Sequence, residues 1–423
     1  MLLLVLAAQL TAGVLLAFSA RRAVLLAAAS LPGAARLPGA AGQTKALPKA
    51  APLPAELAWV EVLVPCHNEA ASLPRLFQAL EALDYPRAML RLTLVDDAST
   101  DSSPALAHAW ANERSWARVL ALAGNVGKAQ ALNLALASHL HPDFATEIVV
   151  VYDADHLPRP DALRALVAPF AQPAVAGVSG QMHVSNGLNS PAAAYSLIES
   201  DVNQFVTMRA KDRLNLAPAL LGSNCAYRLE ALRSVQGFRG GALLEDSDLT
   251  LALAQAGLRT RFAPASVSGH RAPLTIAGYV RQHLRWNRGF HQVSGGRLGP
   301  LWRDRRLSLL MKIELTFFAF GYADRLALLA GLAFALGDGL WPGAFRFPLP
   351  VLVIYFALPA LEMVAALALA GEPPAAFVRL AVVPFFFVLD IGIAAWSMAQ
   401  SLLRRPLRWE PTERPNAGPV RPA

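Results

Sequence analysis

Cysteine is nearly absent from this chain. Cys66 and Cys225 are the only two, and neither belongs to a Cys-x-x-Cys pair. That argues against a disulfide framework and a structural zinc site, and it is compatible with a reducing compartment. The nine histidines contain no His-Glu-x-x-His arrangement. His139 and His141 are two apart, would face different sides of a helix, and read as ordinary solvated residues. There is no Walker pattern and no internal repeat. Charge is scarce as well. Only 16% of residues are charged, against roughly 25% in ordinary soluble domains. A net charge of +8 would suit nucleic acid, but the basic residues crowd beside apolar segments, as at Arg21-Arg22, Arg303 to Arg306 and Arg404-Arg405. Such placement fits the inner surface of a membrane better than a nucleic-acid-binding stripe.

Apolar residues, by contrast, make up 55% of the chain and mean hydropathy is +0.37. The excess sits at the two ends, around a middle that reads as a normal soluble domain. Leu2 to Ala20 is long enough to span a bilayer. Phe18-Ser19-Ala20 would suit a signal-peptide end, but no basic residue precedes the apolar run and Arg21, Arg22, Arg36, Lys45 and Lys49 follow it. This asymmetry predicts an uncleaved anchor with its N-terminus outside and the main domain in the cytosol. The organisation expected is an anchor over 1–22, an Ala/Pro/Gly-rich linker over 23–58, a catalytic domain over 59–300, interfacial and transmembrane helices over 301–403, and a basic tail over 404–423. The result is a multi-pass protein of the cell membrane. Later spans are expected at about Tyr322 to Trp341, Pro348 to Ala370 and Ala376 to Leu402; Leu307 to Phe320 is short, and is interfacial or part of another span. Three spans after the catalytic domain put the tail outside, whereas Arg404, Arg405 and Arg408 argue for an even number there and a tail inside. The sequence leaves the count open.

From Trp59 strands alternate with helices. Val60 to Val64, Leu92 to Val95, Arg118 to Leu122 and Glu147 to Tyr152 read as strands, the last solidly apolar as a buried parallel strand should be. Helices follow near Pro74, at Ser103-Pro104 and over Gly127 to His139. A β-α-β-α series predicts an α/β domain with a parallel sheet covered on both faces, and ligand sites in such sheets lie at the carboxyl ends of the strands. Polar motifs fall at all four of those ends: Pro65-Cys66-His67-Asn68-Glu69, Asp96-Asp97, Gly124-Asn125 and Asp153-Ala154-Asp155.

Asp153 and Asp155, two apart at a strand end, can point the same way, and paired hard oxygen ligands suit Mg²⁺ or Mn²⁺ bridging a diphosphate. Glu245-Asp246 opens an apolar helix ended by Gly257. It reads equally as an acidic first turn complementing the helix dipole or as the seat of a general base. In Gln282-His283-Leu284-Arg285-Trp286, Arg285 offers charge to a leaving diphosphate and Trp286 a flat face to a sugar; the rival reading is an interfacial aromatic beside a snorkelling arginine. Lys128, after a Gly-rich turn, is within reach of phosphate or base.

Taken in order, Val-Pro-Cys-His-Asn-Glu, Asp-Asp-Ala-Ser, Gly-Asn-Val-Gly-Lys-Ala, Asp-Ala-Asp, Gly-Ser-Asn-Cys-Ala-Tyr-Arg, Glu-Asp-Ser-Asp and Gln-x-x-Arg-Trp resemble the family-2 membrane glycosyltransferases, among them cellulose, chitin, hyaluronan and poly-N-acetylglucosamine synthases. The likeness covers about residues 60 to 290. Trp409-Glu410-Pro411-Thr412-Glu413-Arg414 is similar to the ending of some bacterial members. The resemblance implies a GT-A fold, with a Rossmann-like, mostly parallel sheet, and inverting transfer from a UDP-sugar. It implies that Asp97 and Glu69 hold the uridine end of the donor and that Lys128 lies near the uracil or diphosphate. Asp153 and Asp155 would bind donor and metal. Asp246 would be the base, with Glu245 beside it. Gln282, Arg285 and Trp286 would line the diphosphate and acceptor site, and Gly222 to Arg228 would flank the acceptor end. This sequence departs from the family at His67, where Tyr is usual, and at Leu244, where Thr is usual. The acceptor expected is a growing β-linked polysaccharide; the alternative is a single transfer to a membrane lipid. The sequence names neither the sugar nor any partner subunit.

Overall fold

A computed structural model describes residues 2–31, 58–138 and 144–405. His139, His141, most of the expected linker and the Trp409–Arg414 ending lie outside the described residues. The strands are β1 (Val60–Cys66), β2 (Leu90–Asp96), β3 (Ala117–Ala121), β4 (Ile148–Val151), β5 (Leu157–Pro158), β6 (Val175–Val184), β7 (Cys225–Arg228) and β8 (Arg259–His270). The α-helices are α1 (Leu2–Ser30), α2 (Leu73–Glu81), α3 (Ser103–Asn112), α4 (Lys128–Ser138), α5 (Ala162–Val167), α6 (Pro191–Asp201), α7 (Arg209–Arg213), α8 (Leu229–Ser234), α9 (Glu245–Gln255), α10 (Ile276–Arg303), α11 (Leu309–Ala319), α12 (Ala323–Leu340), α13 (Pro350–Leu369) and α14 (Val383–Leu402).

The eight strands form one sheet in the order β3-β2-β1-β4-β7-β6-β8-β5. The four strands expected from the sequence are parallel to one another, with β1 between β2 and β4. The sheet then departs from a purely parallel design, because β7 runs antiparallel to both β4 and β6. β6 and β8 are again parallel, and β5 pairs antiparallel with β8. Alternation along the central strands feeds two cores. Val60, Val62 and Val64 join Leu73, Leu76 and Leu80 on one face, while Leu63 joins Ala131, Leu132, Leu249 and Leu253 on the other. A sheet buried on both faces needs largely apolar strands: β4 is apolar throughout, and β1 breaks its apolar run at Glu61, which is buried and accepts from the hydroxyls of Thr93 and Thr146. The chain reverses its winding between β1 and β4, so the carboxyl ends there open onto a crevice.

Among the described residues, α1, α13 and the stretch Pro374–Leu402 are long and apolar enough to cross a membrane. α11 and α12 together make a fourth candidate, bent by 76°. α1 continues past residue 22 to Ser30, so Arg21 and Arg22 sit inside the helix rather than in a flanking segment. Both are paired: Arg21 with Glu314 at 2.7 Å, and Arg22 with Glu362 at 2.6 Å and Asp324 at 3.2 Å. The basic pair is therefore a bolt between α1 and helices α11, α12 and α13.

Candidate active site

The site is assembled from the four parallel strand ends. Asp97, just past β2 and buried, uses both carboxylate oxygens to accept the backbone N–H groups of Val126 and Gly127, each at 2.8 Å. Gly127 adopts φ 81° in this turn, a backbone state that favours glycine. The turn hands the chain to α4, whose first residue is Lys128. His67 donates from Nδ1 to the Asp97 carbonyl at 2.8 Å and accepts at Nε2 from Asn68 at 3.2 Å, so both ring nitrogens tie the imidazole to this corner. Glu69, half-buried in the turn after β1, donates its backbone N–H to Ser103 Oγ at 2.7 Å.

The Lys128 ammonium ends among acids. It lies 2.7 Å from Asp153 Oδ1 and 3.2 Å from Glu245 Oε1, and donates to the Gly222 carbonyl at 3.0 Å. Burial alone would lower its pKa, but Asp153 and Glu245 outweigh burial and raise it. Burial works to raise the Asp153 carboxyl, and Lys128 and His156 overcome it to hold the group below its ordinary range. Asp155 goes the other way, pushed up to about 6 by burial and by Asp153. Asp246, at the first turn of α9, is pushed up to about 7 by burial and by its neighbour Glu245. Gly222, at φ 78°, keeps this centre open: a Cβ there would lie 2.9 Å from Asp246 Oδ2 and 3.3 Å from Lys128 Nζ.

Arg285, on α10, faces the same cluster. Burial lowers its pKa, partly offset by the charges of Glu245, Asp246 and Asp153. Gln282 and Trp286 flank it on α10, and the Trp286 ring meets His283 edge-on at 4.7 Å. The structure therefore brings Lys128, Asp153, Glu245, Asp246 and Arg285 into one electrostatic cluster. Asp97, Glu69 and His67 form a separate corner on the β1–β2 side.

Not every residue of the expected motifs points into the site. Asp248 is 1% exposed, held by Arg297 and Arg239, and it fastens α9 to α10. Within Gly222 to Arg228, only the start reaches the site. Ser223 Oγ accepts the Asp153 backbone N–H at 2.9 Å, whereas Asn224 braces β6 and β8 and Arg228 caps the carbonyls of Phe170 and Val175. Sequence reading passed over His156 and His270. Their rings stack at 5.1 Å, burial pushes both down, to about 4 and about 3, and His156 Nδ1 is buried without a partner. Asp153, Asp155 and His156 each offer a ligand atom within 4.8 Å of the others. The signal for His156 was its place directly after Asp-Ala-Asp.

Residues 57–289, more than half of the chain, match the family described as Glycosyltransferase like family 2. The protein named "Probable glycosyltransferase YdaM" of Bacillus subtilis (strain 168) is 27% identical over 270 residues, 63% of each chain. An N-acetylglucosaminyltransferase of Rhizobium leguminosarum bv. viciae is 29% identical over 240 residues, 54% of this chain and 55% of its own length. The chain thus spans less than two thirds of the length of these relatives. Among solved structures, "Mannosyltransferase PcManGT from Pyrobaculum calidifontis in complex with GDP-Man and Mn2+" superposes with a TM-score of 0.62 at 23% identity, covering 95% of this chain and 99% of that one. That likeness shows the fold, a GT-A domain with apolar helices at both ends. The chain belongs to glycosyltransferase family 2.

Proposed function

We propose that this enzyme transfers a sugar, with inversion, from a UDP-sugar to a growing β-linked glycan at the membrane surface. The observation that carries the reading is the meeting of Asp153, Glu245 and Asp246 with Lys128 and Arg285 at the carboxyl edge of the sheet. Asp97 and Glu69 would receive the nucleoside, Gln282 and Trp286 the acceptor. Asp246 is the base: a carboxyl lifted to about 7 by burial is matched to taking a proton from a hydroxyl near neutral pH. The acceptor oxygen attacks the anomeric carbon, the bond to the diphosphate breaks, and Lys128 and Arg285 meet the charge that develops on the leaving oxygens. Two carboxylates and an imidazole with a free, buried nitrogen suit a divalent cation such as Mn²⁺ or Mg²⁺, and Asp153, Asp155 and His156 would hold it. When bound, such an ion neutralises diphosphate charge.

The names of the rhizobial relatives make N-acetylglucosamine the first donor to try. Transfer of one sugar to a membrane lipid is the second reading, and the small number of apolar helices among the described residues favours it, because a polymer path needs helices around it. The test of donor class is competition. UDP, added with Mn²⁺, should displace a labelled UDP-sugar from purified protein; GDP displacing it and UDP failing would overturn the assignment.

A further inference from the structure

Resting on the reading that the apolar helices lie in a bilayer, we propose that the chain crosses it three times, through α1, α12 and α13. The apolar stretch Pro374–Leu402 does not cross but rests on the leaflet beside the catalytic domain, as a membrane-docking face.

The ion pairs fix a level. Arg21 and Arg22 follow the apolar first two-thirds of α1 and pair with Glu314 of α11, Asp324 at the first turn of α12, and Glu362 of α13. Glu314 also pairs with Lys211, at 3.3 Å on the catalytic side. From that level α12 runs back along α1. Leu328 packs with Leu15, Gly331 with Leu15 and Phe347, and Gln9 donates to the Arg346 carbonyl at 2.6 Å. Thirteen residues of α1, about 20 Å of helix, separate Gln9 from Arg22. α13 returns: Tyr355 donates to Asp324 at 2.9 Å, Glu362 meets Arg22, and Ala366 packs with Leu25 and Ala28. The 18 residues of α12 measure about 27 Å, enough to cross. The bend before it leaves α11 at the boundary, where Leu315 packs against Ala217, Val293 and Leu301.

Pro374–Leu402 is different, because both its ends touch the catalytic domain's side. Just before it, Glu372 pairs with Arg379 at 2.9 Å and interacts with His183 and Asp201, on β6 and α6. At its far end Ser401 meets His291 Nδ1 at 2.8 Å, and the Arg405 carbonyl accepts from Arg288 at 2.6 Å. Between them Asp390 accepts from Tyr279 at 2.7 Å and Tyr195 at 3.0 Å. α14 therefore runs parallel to α10 from Tyr279 to His291, about 18 Å. α10 is itself tied to the catalytic domain by Gln292, which accepts the Leu243 N–H and donates to Gly241, and by Arg297 on Asp248. A helix laid along a polar, domain-bound helix stays on that side. The face of α14 away from α10 carries exposed Phe385, Val388 and Trp396, an apolar row for acyl chains with an aromatic at the headgroup level. Asp390 on the inner face is 3% exposed and fully bonded, which removes the cost of a carboxylate in lipid. The tail beginning at Arg404 then shares a side with the catalytic domain, and the parity conflict between apolar spans and basic tail disappears.

Labelling of introduced cysteines tests this on the full-length protein, because Cys66 and Cys225 are buried and give little background. Glu113→Cys reports the catalytic side, Trp341→Cys the α12–α13 loop and Leu403→Cys the end of α14; all three positions are exposed. With a membrane-impermeant maleimide on spheroplasts and on inside-out vesicles, Glu113→Cys and Leu403→Cys should label from one face and Trp341→Cys from the other. Leu403→Cys labelling together with Trp341→Cys overturns the proposal and leaves the membrane reading intact. Release of the protein by alkaline carbonate overturns the membrane reading itself.

Discussion

The ammonium of Lys128 lies 2.7 Å from Asp153 and 3.2 Å from Glu245, joining the end of β4 to the first turn of α9. One cation thus holds together the acid expected to face the donor and the acid beside the expected base. Lys128→Met leaves those carboxylates facing each other, so donor binding and transfer should both weaken, with kcat/KM down about 10²-fold. Steady-state kinetics in the UDP-sugar check this. Unchanged kcat/KM would reduce Lys128 to a structural contact.

Two carboxyls in the site sit high, Asp155 at about 6 and Asp246 at about 7, both through burial and an acidic neighbour. A base must be ionised, so transfer should rise with pH through about 7. Stability should move the other way. A carboxyl whose folded pKa is raised contributes stability that is full below its ordinary value and is lost as pH rises through the folded value. The melting temperature of wild type relative to Asp246→Asn in detergent should therefore fall from about pH 5 to 8 while wild-type kcat climbs; the comparison cancels His156 and His270, whose lowered values raise stability with pH over the lower part of that range.

Removing a metal ligand should uncouple binding from chemistry. Asp155→Asn and His156→Gln should each weaken Mn²⁺ binding about 10-fold or more, read directly as free Mn²⁺ by electron paramagnetic resonance. Chelation should abolish wild-type transfer, and Mn²⁺ or Mg²⁺ should restore it. Full transfer in chelator would remove the metal from the mechanism.

Arg22 bridges two buried acids on different helices. Arg22→Gln strands Glu362 at 2% exposure, while Asp324 keeps Arg325 and Tyr355. The loss should be about 3–5 kcal/mol, seen as a lower melting temperature in detergent that Glu362→Gln in the same chain partly restores.

The strand ends were legible because a buried parallel strand stays apolar along its length and turns polar where it emerges; His67, Asp97, Asn125 and Asp153 all stand where that rule puts them. The antiparallel insertion of β7 was not, since Cys225–Arg228 is too short to show a period. Nor was the course proposed for α14. Its residues are as apolar as those of a spanning helix, and only long-range bonds such as Ser401 to His291 separate the two arrangements. His156 and His270 come together from β8 and the turn after β4, a stacking no local pattern announces. Asp248, two residues after Asp246 and the last of the Glu-Asp-Ser-Asp motif, shows the opposite failure: a residue type that fits the chemistry and is consumed by Arg297.

The most direct measurement is product analysis with an Asp246→Asn control. Membranes carrying the wild-type chain receive radiolabelled UDP-sugars one at a time with Mn²⁺, and products are sized and extracted into organic solvent. Label is expected in a polymer digestible by a β-specific glycosidase for one donor, with Asp246→Asn binding UDP normally and transferring at least about 10³-fold more slowly. Label confined to the organic phase would move the assignment to the lipid acceptor. Transfer by Asp246→Asn at the wild-type rate would contradict the mechanism proposed for this site.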